Sequence, residues 1–337
     1  MPFSTREMLE AIEQRKPIYT LFTSLFGEKH THLTEILEID VKKGKRTMAP
    51  FVAPRVGGKV LTRQGFTRSN ITAPKIAPER VLTIDDINKA GLGENVYSTK
   101  TPEEREAVLL ANDMTDLEES ILRRTEWMCR QIILEGKINV KDEDAGVDVQ
   151  IDYNLTNQVI LSAAKKWNTA TGTILADLKA WRRKIIQSTG IAPKTCLMAS
   201  DVVDTFKENE GIKAAFNLNM NLGTITPRVD SPALTFIGRL VELDLDIYTY
   251  DEWFANDDGT EGGMLPEGTV ILLPLKVGAI EYGAVTQMEA GKFVTYEGEI
   301  IPRIYADEKN SIKTLTLTSR PIPRPFDVDS WYVAKVM

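Results

Sequence analysis

His30 and His32 are the chain's two imidazoles, and in Lys-His-Thr-His they stand two apart, close enough to chelate a metal or to supply a general base. No cysteine or carboxylate at metal-ligand spacing surrounds them, so a solvated turn is the reading the residues favour. Carboxylates concentrate at two places, Asp142-Glu143-Asp144 and the loop Asp251, Glu252, Asp257, Asp258, Glu261. The loop is superficially similar to a calcium site, but its acids miss the alternate spacing and central glycine such a site requires. Both places read as solvated hairpin tips. A pair of acids for glycoside hydrolysis would need sugar-stacking aromatics beside it, and Trp127, Trp167, Trp181, Trp253 and Trp331 are scattered through the chain. Cys129 and Cys196 lie in apolar windows and read as reduced core thiols. No GxSxG, Walker, HExxH or CxxC pattern occurs, and Gly91-Leu-Gly93 lacks the third glycine of a dinucleotide fingerprint. These residues therefore assign no catalytic, cofactor-binding or metal-binding role.

Charge carries more information. The 337 residues hold 41 Lys+Arg and 48 Asp+Glu, a net charge of -7. Residues 42–80 hold ten basic side chains against one acid, Glu79, a local +9 that leaves the rest of the chain at -16. Basic stretches often bind nucleic acid through phosphate neutralisation. This one is rich in Pro and Gly, offers no helical face for a groove, and has only Phe51 and Phe66 to stack on bases. A cationic extended arm on an anionic body is better suited to docking on another copy of that body. With 42% apolar and 26% charged residues, 22 Gly and 16 Pro, the composition is that of a folded globular chain long enough for two or more packed units. No apolar run reaches the ~18 residues of a membrane span and the start lacks a signal-peptide layout, so cytoplasmic folding without membrane attachment is expected.

The elements follow from pattern. A short helix is expected over 5–15, then a turn at Gly27 and an alternating, half-buried strand from Leu33 to Val41. Pro50, Pro54, Pro74 and Pro78, with the Gly57-Gly58 turn, describe two extended legs of a projecting hairpin. Thr101-Pro102-Glu103-Glu104 opens a helix whose stripe runs Leu110, Met114, Leu117, Ile121, Met128, Ile132 to a stop at Gly136, roughly 50 Å of spine. A hairpin follows around Asp142–Gly146. A further amphipathic helix spans 173–188, and Ser200-Asp201 cap a short helix to Asn209. The segments VELDLDIYTY and GTVILLPL are the clearest strands of an α/β unit over 190–285. From Lys292 onward the chain reads as strand, interrupted by a PIPRPFDVD turn, and returns to the long helix.

This order of parts resembles tailed-phage major capsid proteins of the Hong Kong 97-type fold, and more narrowly the lambda-like major capsid family often called protein E. The similar stretches are MLEAIEQRKP with TLFTSLF, APRVGGKVLTRQGFTRSNITAPKIAPERV, ESILRRTEWMCRQIILEGKINV, IYTYDEWFANDDGTEGGMLPEGTVILLP and SRPIPRPFDVDSWYVAKV. The resemblance implies an α+β fold divided as follows: an N-terminal arm over 1–27, a peripheral strand region over 28–49, an extended β-hairpin loop over 50–78, a peripheral domain over 79–149 with its spine helix at 101–136, an axial α/β domain over 150–285, and C-terminal strands over 286–337 returning to the peripheral domain. It implies a non-enzymatic virion protein, assembled in the host cytoplasm into pentamers and hexamers of an icosahedral head. That head encloses double-stranded DNA without sequence-specific contact, with scaffolding, portal and decoration proteins as further partners. Arg55, Lys59, Arg63, Arg68 and Lys75 are the expected inter-subunit contacts of the loop. Some relatives cross-link Lys to Asn, but no local pattern marks a pair here. Rival readings are an encapsulin-type compartment, another self-assembling phage component such as a tail-tube or decoration protein, and a carboxylate-based hydrolase.

Overall fold

A computed structural model describes residues 20–41, 67–88, 101–142, 147–169, 172–217, 228–229, 233–255, 259–289 and 291–337. The helix expected over 5–15, the Gly57-Gly58 turn and the Glu143–Gly146 part of the hairpin turn lie outside these residues.

The spine helix, Pro102–Glu135, starts and stops where its residue types dictate. Thr101 and Glu104 form a reciprocal capping box, Pro102 occupies the first turn, and Gly136 takes the left-handed conformation (φ 70°) that ends the helix. Its buried stripe is the one read from spacing: Met114, Leu117, Ile121, Thr125, Met128 and Ile132. From residue 126 on, another buried row, Glu126, Cys129 and Ile133, widens the face. The reason is a change of neighbours. The first half packs Met114, Leu117 and Ile121 on Ile300, Leu315 and Leu317 in a small core of its own. The C-terminal half enters the main core, where Met128, Cys129, Ile132 and Ile133 are enclosed.

That main core surrounds a seven-stranded mixed sheet. Its strand order is Gln158–Ile160, Tyr332–Lys335, Thr269–Leu273, Thr195–Met198, Leu245–Tyr250, Leu234–Leu240 and Arg228–Val229. The central strand Thr269–Leu273 is buried at every position, as a strand covered on both faces must be. Tyr332, Leu272, Cys196 and Ile247 stand directly opposite one another and share one face. Helix Ile174–Thr189 covers that face: Trp181 stacks on Tyr332 at 5.4 Å and Trp167 stacks on Trp181 at 5.8 Å. A left-handed Gly190 ends the helix.

Two smaller sheets flank the spine. Ile301–Asp307, Ile312–Thr318 and Glu79–Thr83 form one, on the first half of the helix. Glu28–Thr31, Gly278–Tyr282 and Pro321–Pro325 form the other. Two hairpin stems accompany them: Ile36–Val41 with Thr67–Thr72, and Lys137–Asp142 with Val147–Asp152.

The structure corrects several expectations. The run Leu33–Val41 is not one strand: Glu28–Thr31 pairs in parallel with Ala279–Tyr282, the chain bends at 33–35, and only Ile36–Val41 enters the stem. Leu33, at the bend, is 73% exposed. His30 and His32 therefore do not sit in a solvated turn; the neighbouring strand draws them into the sheet edge. The PIPRPFDVD segment is strand over Pro321–Pro325 rather than turn. Its prolines alternate, leaving Ile322 and Arg324 at the hydrogen-bonding register while residues without an N–H face the open edge. The carbonyl of Pro323 on that edge accepts from the buried Tyr153 hydroxyl at 3.0 Å. Ala199, not Ser200, is the cap of helix Ser200–Glu208, and Asp201 instead accepts from the Gly268 N–H at 2.8 Å. Val241–Leu243 is a 3-10 turn closed by a left-handed Asp244, so that strand begins at Leu245. Residues 76–83 belong to the body, since Ile76 bridges Ser319 and Glu79–Thr83 joins a sheet. The last strand, Tyr332–Lys335, joins the large sheet.

Gly278 is a point of closest approach: a Cβ there would stand 2.2 Å from the Arg324 carbonyl and 2.7 Å from the Phe26 ring. Gly278→Ala should cost about 3 kcal/mol or more, measured by urea unfolding of the unassembled subunit.

Candidate functional site

Two buried carboxylates organise the segment from which the projecting hairpin rises. Helix Leu21–Leu25 is a single turn whose preceding Thr20 makes no capping bond through its side chain. Its orphan N–H groups are met from a hundred residues away. Glu126 of the spine, 1% exposed, accepts from Phe22 N–H at 2.8 Å and Thr23 N–H at 2.7 Å, and from the Tyr250 hydroxyl at 3.0 Å. Phe22 meets the Tyr250 ring edge-on at 5.5 Å. One carboxylate thus joins the N-terminal segment, the spine and the large sheet. Burial pushes the Glu126 carboxyl above its ordinary range, against the pull of its three donors. Burial and the neighbouring Glu126 push the Tyr250 phenol up as well.

The other is Glu281, in the Gly278–Tyr282 strand. Its Oε1 accepts from Arg324 Nε at 2.8 Å, and its Oε2 lies 2.8 Å from His32 Nε2. Burial pushes this carboxyl up, but the His32 and Arg324 hydrogen bonds and the Arg324 charge outweigh it and hold the group below its usual range. The Ala284 N–H donates to the Thr34 carbonyl and the Ala73 N–H to the Glu35 carbonyl, while Arg320 pairs with Glu35 at 2.9 Å. The stem of Ile36–Val41 and Thr67–Thr72 rises directly from this clamp, with six opposed residue pairs from Ile36↔Thr72 to Val41↔Thr67.

Of the expected loop contacts, Arg55, Lys59 and Arg63 lie outside the described residues. Arg68 stands opposite Asp40 in the stem, and Lys75 is exposed where the chain has rejoined the body. The stem does not bring these two together. Sequence reasoning missed the receiving side of the charge pattern. The first half of the spine carries Glu103, Glu104, Glu106, Asp113, Asp116, Glu118 and Glu119. Arg80 answers two of them, Asp113 at 3.2 Å and Asp116 at 3.0 Å. Burial, with the nearby Asp116 and Asp86 charges, pushes the Asp113 carboxyl up despite the pull of Arg80. The signal was available: seven acids in seventeen residues of one helix. Glu126 was also legible as the one charged residue in the helix's added buried row.

Among the described residues no three His, Cys, Asp or Glu side chains converge as a metal site, and no helix is long and apolar enough to cross a membrane. Cys129 and Cys196 are free and buried, and burial pushes both thiols up, away from the thiolate form that reacts.

Because folding lowers the Glu281 pKa, its contribution to stability is full above the ordinary value of about 4.3 and is lost as pH falls through the lowered value. Glu281→Gln should flatten the acid limb of a stability-versus-pH curve below that point. Glu126 has the opposite sign, its contribution being greatest at low pH and declining as pH rises through its raised value. Glu126→Gln, which sets an amide donor against backbone donors, should cost about 1–3 kcal/mol in urea unfolding at neutral pH.

Comparison with known proteins agrees with this architecture. The chain is 22% identical to the major capsid protein of Enterobacteria phage P21 over 99% of both chains, and 24% identical to that of Escherichia phage lambda over 49% of both. A solved prophage capsid protein from Escherichia coli CFT073 superposes over the whole of both chains with a TM-score of 0.73 at 19% identity. The capsid of a native GTA particle, solved with C5 symmetry, aligns over 96% of this chain and 93% of its own with a TM-score of 0.51 at 11% identity. The fold is the α+β fold of Hong Kong 97-type phage capsid proteins. The family model described as phage major capsid protein E matches residues 4–336, and the chain belongs to that family: it is a structural protein of the phage head.

Proposed function

We propose that the chain closes into an icosahedral shell around double-stranded DNA by self-association into pentamers and hexamers, with a structural rather than an enzymatic role. The observation that carries this reading is the Ile36–Val41/Thr67–Thr72 stem. Between its two strands lie 25 residues with seven of the ten cations of the basic segment and no acid. A +7 insertion cannot neutralise itself. The acidic first half of the spine of a neighbouring copy offers the opposite charge, which favours encounter and sets register.

In this reading residues 50–78 reach across a neighbour and Arg55, Lys59, Arg63, Arg68 and Lys75 make the contact, those beyond the stem supplying the reach and Lys75 the return. Residues 28–49, 79–149 and 286–337 form the peripheral domain around the spine, residues 150–285 the axial domain around the five-fold and six-fold centres, and residues 1–27 an arm. The final strand, lying in the large sheet, ties the peripheral part to the axial one. A contact between unlike surfaces suits rings of five and six, because it closes only when the rotation does. A scaffolding protein, a portal and a decoration protein are the further partners of such a shell.

Replacing residues 45–63 by Asn-Gly should leave soluble subunits that sediment as small species and form no shells; full particles from that variant would contradict the loop assignment. Arg63→Glu with Arg68→Glu should weaken assembly more at low salt than at high, since screening removes the repulsion it introduces. Nuclease-protected DNA within purified particles would separate a phage head from a compartment filled with protein.

A further inference from the structure

Another hairpin projects from the body, and the cationic loop leaves it without a role. Val285–Glu289 and Lys292–Tyr296 pair only with each other, around a left-handed Gly291 (φ 79°). Val285 and Gln287 face the body and are buried. The opposite face carries Met288 directly across from Phe293, 47% and 77% exposed, and behind them Thr286 and Thr295 with their hydroxyls 3.0 Å apart. Lone exposed apolar residues are ordinary on a protein surface. A cross-strand Met–Phe pair at the tip of a projecting hairpin is a shaped knob, and enclosing the phenyl ring alone is worth about 1.5–3 kcal/mol.

A matching hollow exists elsewhere on the molecule. Leu82, Ile84, Ile87, Ala306 and Ile312 wall an open groove of about 350 Å³ between helix Ile84–Asn88 and the Ile301–Asp307/Ile312–Thr318 turn. That volume is within the ~300–1,000 Å³ of ligand-sized pockets. Its rim bears Glu106, Asp307 and Glu308. Glu106 is held by Lys313, and Asp307 accepts from the N–H groups of its own turn. Glu308 is exposed and forms no ion pair among the described residues, and the same is true of Lys292 at the tip of the knob. Knob and groove thus agree in shape class and oppose in charge.

They cannot meet within one molecule. The hairpin is rooted at residue 296, and the seven-residue strand Ile301–Asp307 carries the chain about 20 Å onward to the groove. We propose that the Met288–Phe293 knob of one copy seats in the Ile84/Ile312 groove of a neighbouring copy, with Lys292 against Glu308. Each copy offers both halves, so the contact is head-to-tail and propagates around a ring or lattice. The proposal rests on the self-assembly reading and adds an apolar contact to its electrostatic one.

The test is a cysteine pair in assembled particles. Both native cysteines are buried and do not compete. Phe293→Cys with Ile84→Cys, mildly oxidised, should give a ladder of covalent oligomers on a non-reducing gel. A control pair, Phe293→Cys with Ile160→Cys, uses a site 78% exposed at the edge of the large sheet and should give at least about tenfold less. A further arm uses charge: Lys292→Glu and Glu308→Lys should each lower particle yield at low salt, and the double variant should restore it. Particles without the 293–84 ladder, or a ladder as strong from the control, overturn the knob-in-groove contact and leave self-assembly standing. If Phe293→Cys itself blocks assembly, the charge swap decides, and failure of the double variant to recover overturns the contact. Unmodified chain that forms no particles overturns self-assembly and the contact with it.

Discussion

A carboxylate hidden at 1% exposure, holding two backbone N–H groups and a phenol, is the tether on which the N-terminal part of this subunit depends. Leu21–Leu25 is too short to be stable alone, since a single turn fixes several residues for about one hydrogen bond. Glu126 supplies what a local cap would supply, but from the spine, so that the turn forms only where the spine is. Removing water from the carboxylate is costly and is offset by its three donors. The outcome is positional: the start of the described chain is fixed to the junction of spine and large sheet.

A little further along the chain, at His32, Glu281 repeats the device. It holds His32 on one side and Arg324 on the other, so that three strands meeting at one sheet are locked by one side chain. A projecting hairpin is a lever, and its reach is useful only if its root does not pivot. The neighbouring strands also have open edges, which invite unwanted pairing. Alternating prolines at 321, 323 and 325 close one of them by presenting no N–H to solvent. Tyr153 satisfies a carbonyl that remains there.

The subunit separates its surfaces by chemistry. Cations lie on the inserted loop, acids on the first half of the spine, and exposed apolar groups on another hairpin and in a groove at the far end of an adjacent sheet. The spine itself changes character along its length, one buried row where it meets a small core and two where it meets the large one. A chain so arranged keeps its stability inside and leaves its associative groups outside, none of them satisfiable by its own body.

Local chemistry alone determined the long helix, both left-handed glycine stops, the 137–152 and 251–263 hairpins, the buried cysteines and the partition of charge. Each rests on spacing or capping that acts within a few residues, and so does the family resemblance, which runs along the chain in order. Tertiary pairing decided the rest. Whether Leu33–Val41 was one strand or two depended on Gly278–Tyr282, some 240 residues away; whether PIPRP turned or extended depended on the same strand; and His32 became a partner of Glu281 only once that strand stood beside it. Glu126 was visible as an acid on a buried row, but its partners lie a hundred residues off on either side, and a hydrogen bond has no periodicity to betray it.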